Sequence, residues 1–390
     1  MEEAAVRLFL YPEFQRKQIA GDILNRISWG LWGVSKASVT ICLPESSAVK
    51  LKKMHDAPVP PSQQNYLKDL PPICKAPADE PLRKGDKVLV WDVPVYQSAR
   101  KRFHEESTLC IDPYYWFNHE ADQIAALQHS IASPDRQAEW REQSRARYRA
   151  FLERWKNVEN ANLYLTGPSV DLSLQKQVES GTVKFICNSL VRNEALLKQL
   201  QPDVLMFSDP AYHFGVSQYA AAFREYAKQA MLNFSELICV VPERYYPLTV
   251  AFLGESIQER IIGIPLVETA QFNFPCADAF FVRKTGNILT LLMIPVASQI
   301  AGRVNIFGAD GRDKGDQGYW KHSQSSQMSD QMKTIYDAHP SLGRDEDVEK
   351  YYDEHCQLLE EMLSYGETAQ EKVYCCKTPS FIPALARREC

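Results

Sequence analysis

Three short apolar runs in the middle of the chain, each closing on small or polar residues, constrain its fold more than any other feature. Asn162–Leu165 runs into Thr166-Gly167-Pro168-Ser169, Val183–Cys187 ends on Asn188, and Asp203–Phe207 ends on Ser208-Asp209-Pro210. Parallel strands buried on both faces read this way, and their carboxyl ends line a ligand crevice. Gly167 lets backbone come close to a bound phosphate. Ser169 offers a hydroxyl, or opens a helix whose free N–H groups favour anions. The same residues also suit an ordinary turn.

The rest of the second half continues the alternation of strand and helix. Ser217–Leu232 is an amphipathic helix, Leu237–Val241 a fourth strand, and Gly263–Val267 a short fifth. Gly286–Ala301 has helical spacing with Gly302 as its stop; Arg303–Phe307 is a strand, Asp345–Leu363 a helix and Lys372–Cys376 the last strand. The expected fold is α/β, a Rossmann-like and mostly parallel sheet with helices on both faces.

The first half also looks α/β. Gln18–Val34 has a helical rhythm, Ala37–Leu43 and Lys87–Val93 are strand-like, and the proline-rich Ala57–Pro72 reads as a loop or strap. Glu120–Leu152 is one or two long helices with a break at Pro134. The expected boundary falls near Trp155–Asn160. That gives an N-terminal α/β region over residues 1–155 and a Rossmann-like domain over 156–390. If the first region is itself Rossmann-like, the two face each other across a cleft. Trp91-Asp92 and the aromatic cluster Asp112–Phe117 either touch an acceptor or, the favoured reading, fill a core or interface.

Composition narrows the function classes. A formal net charge of −5 gives no support to nucleic-acid binding as the main role. The start lacks the layout of a secretory signal, and no run reaches the length of a membrane span. The ten cysteines include no CxxC pair, and several sit in apolar runs. Reduced, packed thiols are expected, with a cytoplasmic location, rather than a disulfide frame or zinc site.

Phe307–Ser323 is the segment richest in chemistry. A strand ends, glycines alternate with Asp310, Arg312, Asp313, Lys314 and Asp316, and Tyr319, Lys321 and His322 follow. A glycine-rich loop at a strand's carboxyl end can fold over a ligand. Arg312, Lys314 and Tyr319 suit a phosphate, and His322 suits general-base work. The alternative is a solvated surface loop with an incidental histidine.

Residues from about 162 to 381 resemble the bacterial CMP-sialic-acid-dependent sialyltransferases that build lipooligosaccharide. They also resemble the wider superfamily that includes 6-hydroxymethylpterin diphosphokinase-like proteins. Six stretches carry the resemblance in the family's order: LTGPS, FICNS with Asn188, KTGN (Lys284–Asn287), FGADG with Gly308 and Asp310, GYWKHS with its Tyr-x-x-His-Ser spacing, and VYCC. The resemblance implies a glycosyltransferase whose residues 156–390 form a Rossmann-like nucleotide-sugar-binding catalytic domain, with a lid and no metal or other cofactor, and it leaves residues 1–155 for acceptor recognition or oligomerisation.

Gly167, Pro168 and Ser169 would then border the CMP phosphate and ribose, and Asn188 would hold the nucleotide. Thr285 and Gly286 would lie by the donor sugar's carboxylate. Tyr319 would hydrogen-bond the departing phosphate, and His322 would take the acceptor's proton. Thr166 stands where the family has an asparagine, Arg312 where it has a phosphate-binding tyrosine, and the lid is shorter. Arg312 could replace that tyrosine by charge. Sialic acid, Kdo and a related nonulosonic acid all remain as donors.

A retaining route through Asp209 or Asp310 stays open beside the inverting one. The implied partners are a CMP-sugar donor and a glycan or glycolipid acceptor in lipopolysaccharide or capsule synthesis, with peripheral membrane association and a homo-oligomer as further expectations. Two alternatives remain: an ATP-dependent pterin diphosphokinase-like enzyme using Mg²⁺, and a non-catalytic module in a polysaccharide assembly complex.

Overall fold

The computed structural model describes residues 5–48, 54–77, 80–175, 181–313, 321–345 and 347–390. Five strands form the first sheet: β1 (Val6–Tyr11), β2 (Val39–Pro44), β3 (Ile73–Ala76), β4 (Lys87–Val90) and β5 (Thr108–Cys110). All pair in parallel, in the order β3-β2-β1-β4-β5.

The second sheet begins with β6 (Val158–Tyr164), β7 (Val183–Cys187), β8 (Val204–Met206), β9 (Ile238–Pro242) and β10 (Ile261–Ile264). A two-stranded ladder follows, β11 (Leu266–Val267) with β12 (Val282–Arg283), and then β13 (Ala301–Phe307) and β14 (Val373–Cys376). The seven-stranded sheet is parallel throughout, in the order β10-β9-β8-β7-β6-β13-β14. The chain is therefore α/β, with parallel sheets flanked by helices. Each sheet reverses its winding once, between β1 and β4 and between β6 and β13. Such a reversal parts the crossover connections and leaves a crevice at the strands' carboxyl ends.

The strands of the second sheet are apolar because both of their faces are covered. β8 is buried at every position, and β7 and β9 at all but one. Helix starts are set by local chemistry. Ser217 Oγ accepts the backbone N–H of Ala220 at the head of the helix Gln218–Asn233. Ser133 does the same for Arg136, with Pro134 in the first turn of the helix Pro134–Arg154. That helix packs on the second sheet, with the Gly263 N–H donating to Ser144 Oγ and Tyr148 O–H donating to the Pro275 carbonyl.

The structure departs from the sequence reading in several places: Gly263–Val267, read as one strand, is divided between β10 and β11, and Glu120–Leu152 breaks at Ala126 as well as before Pro134. The helix expected over Gly286–Ala301 starts later, as a π turn at Leu289–Met293 followed by Ile294–Ile300, and it stops one residue before the strand begins. Gly302 is not its terminator but lies inside β13, because Ala301 and Arg303 pair with Val158 and Asn160 of β6. Tertiary pairing overrides the local stop signal. The expectation of reduced thiols also needs correcting: Cys375 and Cys390 form a disulfide, while the other eight cysteines are free. The chain end folds back along β14, with the Cys376 N–H donating to the Arg388 carbonyl, so the two sulfurs meet. Spacing alone could not show that return.

The two sheets share one apolar core, which includes Leu8, Trp29, Phe207 and Phe214. A buried ionic cluster joins them. Arg26 pairs with Glu120 at 3.1 Å and donates to the Ala338 carbonyl at 2.8 Å, and His339 Nδ1 lies 2.8 Å from the same Glu120 carboxylate. At the first sheet's switch point Trp91 stacks on Phe14 and donates to the Pro12 carbonyl, so this crevice is filled. Asp112 accepts the Val93 and Tyr114 N–H groups, while Tyr114 and Trp116 are exposed. Among the described residues no helix is long and apolar enough to cross a membrane.

Candidate active site

The crevice at the second sheet's switch point is built from the turns that follow β6 and β13. The Gly167 N–H donates to the Gly308 carbonyl at 2.9 Å. A Cβ on Gly167 would stand 2.5 Å from that carbonyl and 2.6 Å from Asp310 Oδ1, so the approach admits only glycine. Gly308 has φ +71, where a side chain would strain the backbone. Ser169 donates to Asp310 through both its backbone N–H and its hydroxyl. Burial pushes the Asp310 carboxyl up, and the two Ser169 bonds pull it partly back.

His322 is brought to this turn by the residue that follows it. The Ser323 N–H donates to the Thr166 carbonyl at 2.7 Å, and Ser323 Oγ donates to Asp171 at 2.6 Å. His322 Nδ1 then lies 2.7 Å from Thr166 Oγ1. Burial pushes its pKa down to about 4, so the ring is neutral at pH 7. A fixed, neutral imidazole of this kind can accept a proton.

A cavity of about 70 Å³ opens here, lined by Thr166, Gly167, Asn188, Gly308, Asp310 and His322 among others. Asn188 sits at φ +50, just past β7, and its Oδ1 is buried with no hydrogen-bond partner among the described residues. Such an orphaned acceptor costs about 1–3 kcal/mol, which a ligand hydroxyl or amine would recover. The cavity is smaller than the ~300–1,000 Å³ of a typical ligand pocket. It encloses one small group. A broader depression of about 600 Å³, lined by Glu159, Arg303 and Val373, runs beside the amino-terminal halves of β6, β13 and β14. Parallel sheets do not bind their ligands at that end.

Several expected site residues fall elsewhere. Pro168 and Ser169 open a 3₁₀ turn and do not line the cavity; Ser169 acts through Asp310. Asp209 is a turn cap, its Oδ1 taking the N–H groups of Ala211 and Tyr212. Thr285 Oγ1 lies 3.0 Å from Thr290 Oγ1, and the Gly286 carbonyl accepts from Tyr351 O–H. The cavity is lined instead by the next three residues, Asn287, Ile288 and Leu289. Arg312, expected at a leaving phosphate, is buried, paired with Glu349 and stacked on the Tyr352 ring. Lys314 and Tyr319 lie outside the described residues.

The cavity also holds residues that the sequence reading did not assign: Lys321, Cys187, Ile382 and His355. His355 lies on the helix Val348–Ala369, in the stripe that buries Leu359 and Met362. Its only signal in the sequence was a polar residue on an apolar face.

No family model matches the chain. No curated protein matches it either. Among solved structures, the sialyltransferase CstII from Campylobacter jejuni, in complex with the substrate analogue CMP-3FNeuAc, is similar to this chain. The two share 10% identity and a TM-score of 0.29, over 59% of this chain and 88% of that one. That is a distant structural resemblance.

Proposed function

We propose that the protein is a glycosyltransferase that moves a keto sugar (sialic acid, Kdo or a related nonulosonic acid) from a CMP-activated donor to a hydroxyl of a glycan or glycolipid. The observation that carries this reading is the neutral His322 imidazole fastened by Thr166 at the switch point of a parallel sheet, 2.7 Å from its anchor. With Nδ1–H donating to Thr166 Oγ1, Nε2 holds the lone pair. It takes the acceptor hydroxyl proton as the new C–O bond forms at the sugar's anomeric carbon. The bond from that carbon to the phosphate oxygen breaks, and CMP leaves with the electron pair. Asn188 Oδ1 accepts from an amine or hydroxyl of the nucleotide, which removes its orphaned state.

A thermal-shift screen of CMP, UDP, GDP and ATP–Mg²⁺ tests the donor class. CMP should raise the melting point, since a ligand at 100 times its Kd adds about 2.7 kcal/mol to the native state. A rise with ATP–Mg²⁺ alone would favour a diphosphokinase-like enzyme. No rise with any nucleotide would favour a non-catalytic module.

A further inference from the structure

We infer that His355 is the side chain that holds the anionic group of the ligand, in the cavity that it lines together with His322. The inference deepens the proposed function and rests on it for the identity of the donor. It starts from the loss of the expected anion site. Arg312 has its guanidinium paired with Glu349 and lies over the Tyr352 ring, 5.3 Å from the centroid. Glu349 and Tyr352 stand three residues apart on one helix, and His355 follows three residues later, turned about 120° from Glu349 towards the buried side. The first two hold Arg312, and the third lines the cavity beside Lys321 and His322. The helix that takes the arginine out of play also brings an imidazole to the cavity.

The cavity's size fits this role. At about 70 Å³ it is small against a typical ligand pocket and has room for a small anionic group. His355 is buried, at 5% exposure, and burial pushes its pKa down to about 4, so it waits uncharged. An anion alongside favours the charged form and draws a proton onto the ring. The other titratable groups lining the cavity are Lys321, His322, Cys187 and Asp310. The Asp310 carboxylate opposes an anion, but both of its oxygens are taken by Ser169. Cys187 is buried and its thiol is pushed up, so it stays neutral. On the same helix, Glu349 is engaged by Arg312.

The experiment uses the intact protein and two probes, inorganic phosphate and CMP, with cytidine as the control. Imidazole NMR of the wild type should show the His355 pKa rising by a unit or more when phosphate is added. His355→Gln should weaken phosphate and CMP binding at least tenfold and leave cytidine binding unchanged. If CMP binds equally well to His355→Gln, the inference is overturned while the proposed function stands. If phosphate binds and shifts His355 but CMP does not bind, the anion site stands and the CMP reading falls. If neither probe binds the wild type, or phosphate leaves the His355 titration unmoved, the anion site is refuted whether or not the variant folds.

Discussion

Replacing His322 by alanine should lower sugar transfer by ~10²–10⁴-fold while donor binding survives, because a general base acts on the acceptor proton and not on the nucleotide. The geometry makes the expectation specific. Nδ1 is held by Thr166, so the ring cannot turn freely, and Ser323 fixes the backbone on its carboxyl side. The pH profile supplies a second readout. Burial holds the His322 pKa down at about 4, against ~6.5 for a free histidine. A lowered imidazole pKa favours the neutral form, so base activity is present above the folded value and fades as pH falls through it. The acid limb of kcat/KM should therefore lie well below pH 6.5 in the wild type and vanish in His322→Ala. Unchanged turnover in the variant would remove His322 from the chemistry.

Glu120→Ala should weaken the junction between the two sheets by about 1–3 kcal/mol, the usual cost of leaving buried hydrogen-bonding partners unsatisfied. Burial pushes the Glu120 carboxyl up, but Arg26 and His339 more than offset this and hold it below the usual carboxylate range. Removing it leaves Arg26, which is 1% exposed, with Asp22 as its remaining carboxylate, and leaves His339 without its acceptor. The sign with pH follows from the lowered value. The contribution is present above the unfolded carboxylate pKa of ~4.3 and is lost as pH falls through the folded one. Urea unfolding of Glu120→Ala and Glu120→Gln against the wild type at pH 7 checks this. A loss below about 1 kcal/mol in both would mean that the cluster does not hold the sheets together.

The strands that set the fold were legible because burial on both faces leaves nothing but apolar runs. Val183–Cys187 is recovered residue for residue, β8 is one residue shorter than expected at each end, and β9 is displaced by one residue. Less visible were the short strands of the first sheet. β3 and β5 are three or four residues long and carry Cys, Lys or Thr, too little pattern to register. Of the residues that line the cavity, those placed by backbone turns carried a signal in the sequence, as with Thr166, Gly167, Asn188, Gly308 and Asp310. Residues placed by packing could not. Arg312 looks like a phosphate ligand until Glu349 and Tyr352, some forty residues on, are folded against it. His355 looks like a core residue until its helix meets the cavity.

The most direct measurement is a crystal structure of the protein grown with CMP. Transfer from this crevice predicts the phosphate in the cavity between His322 and His355, with Asn188 Oδ1 accepting from the nucleotide. Nucleotide bound at another surface, or a cavity still empty at saturating CMP, would contradict it.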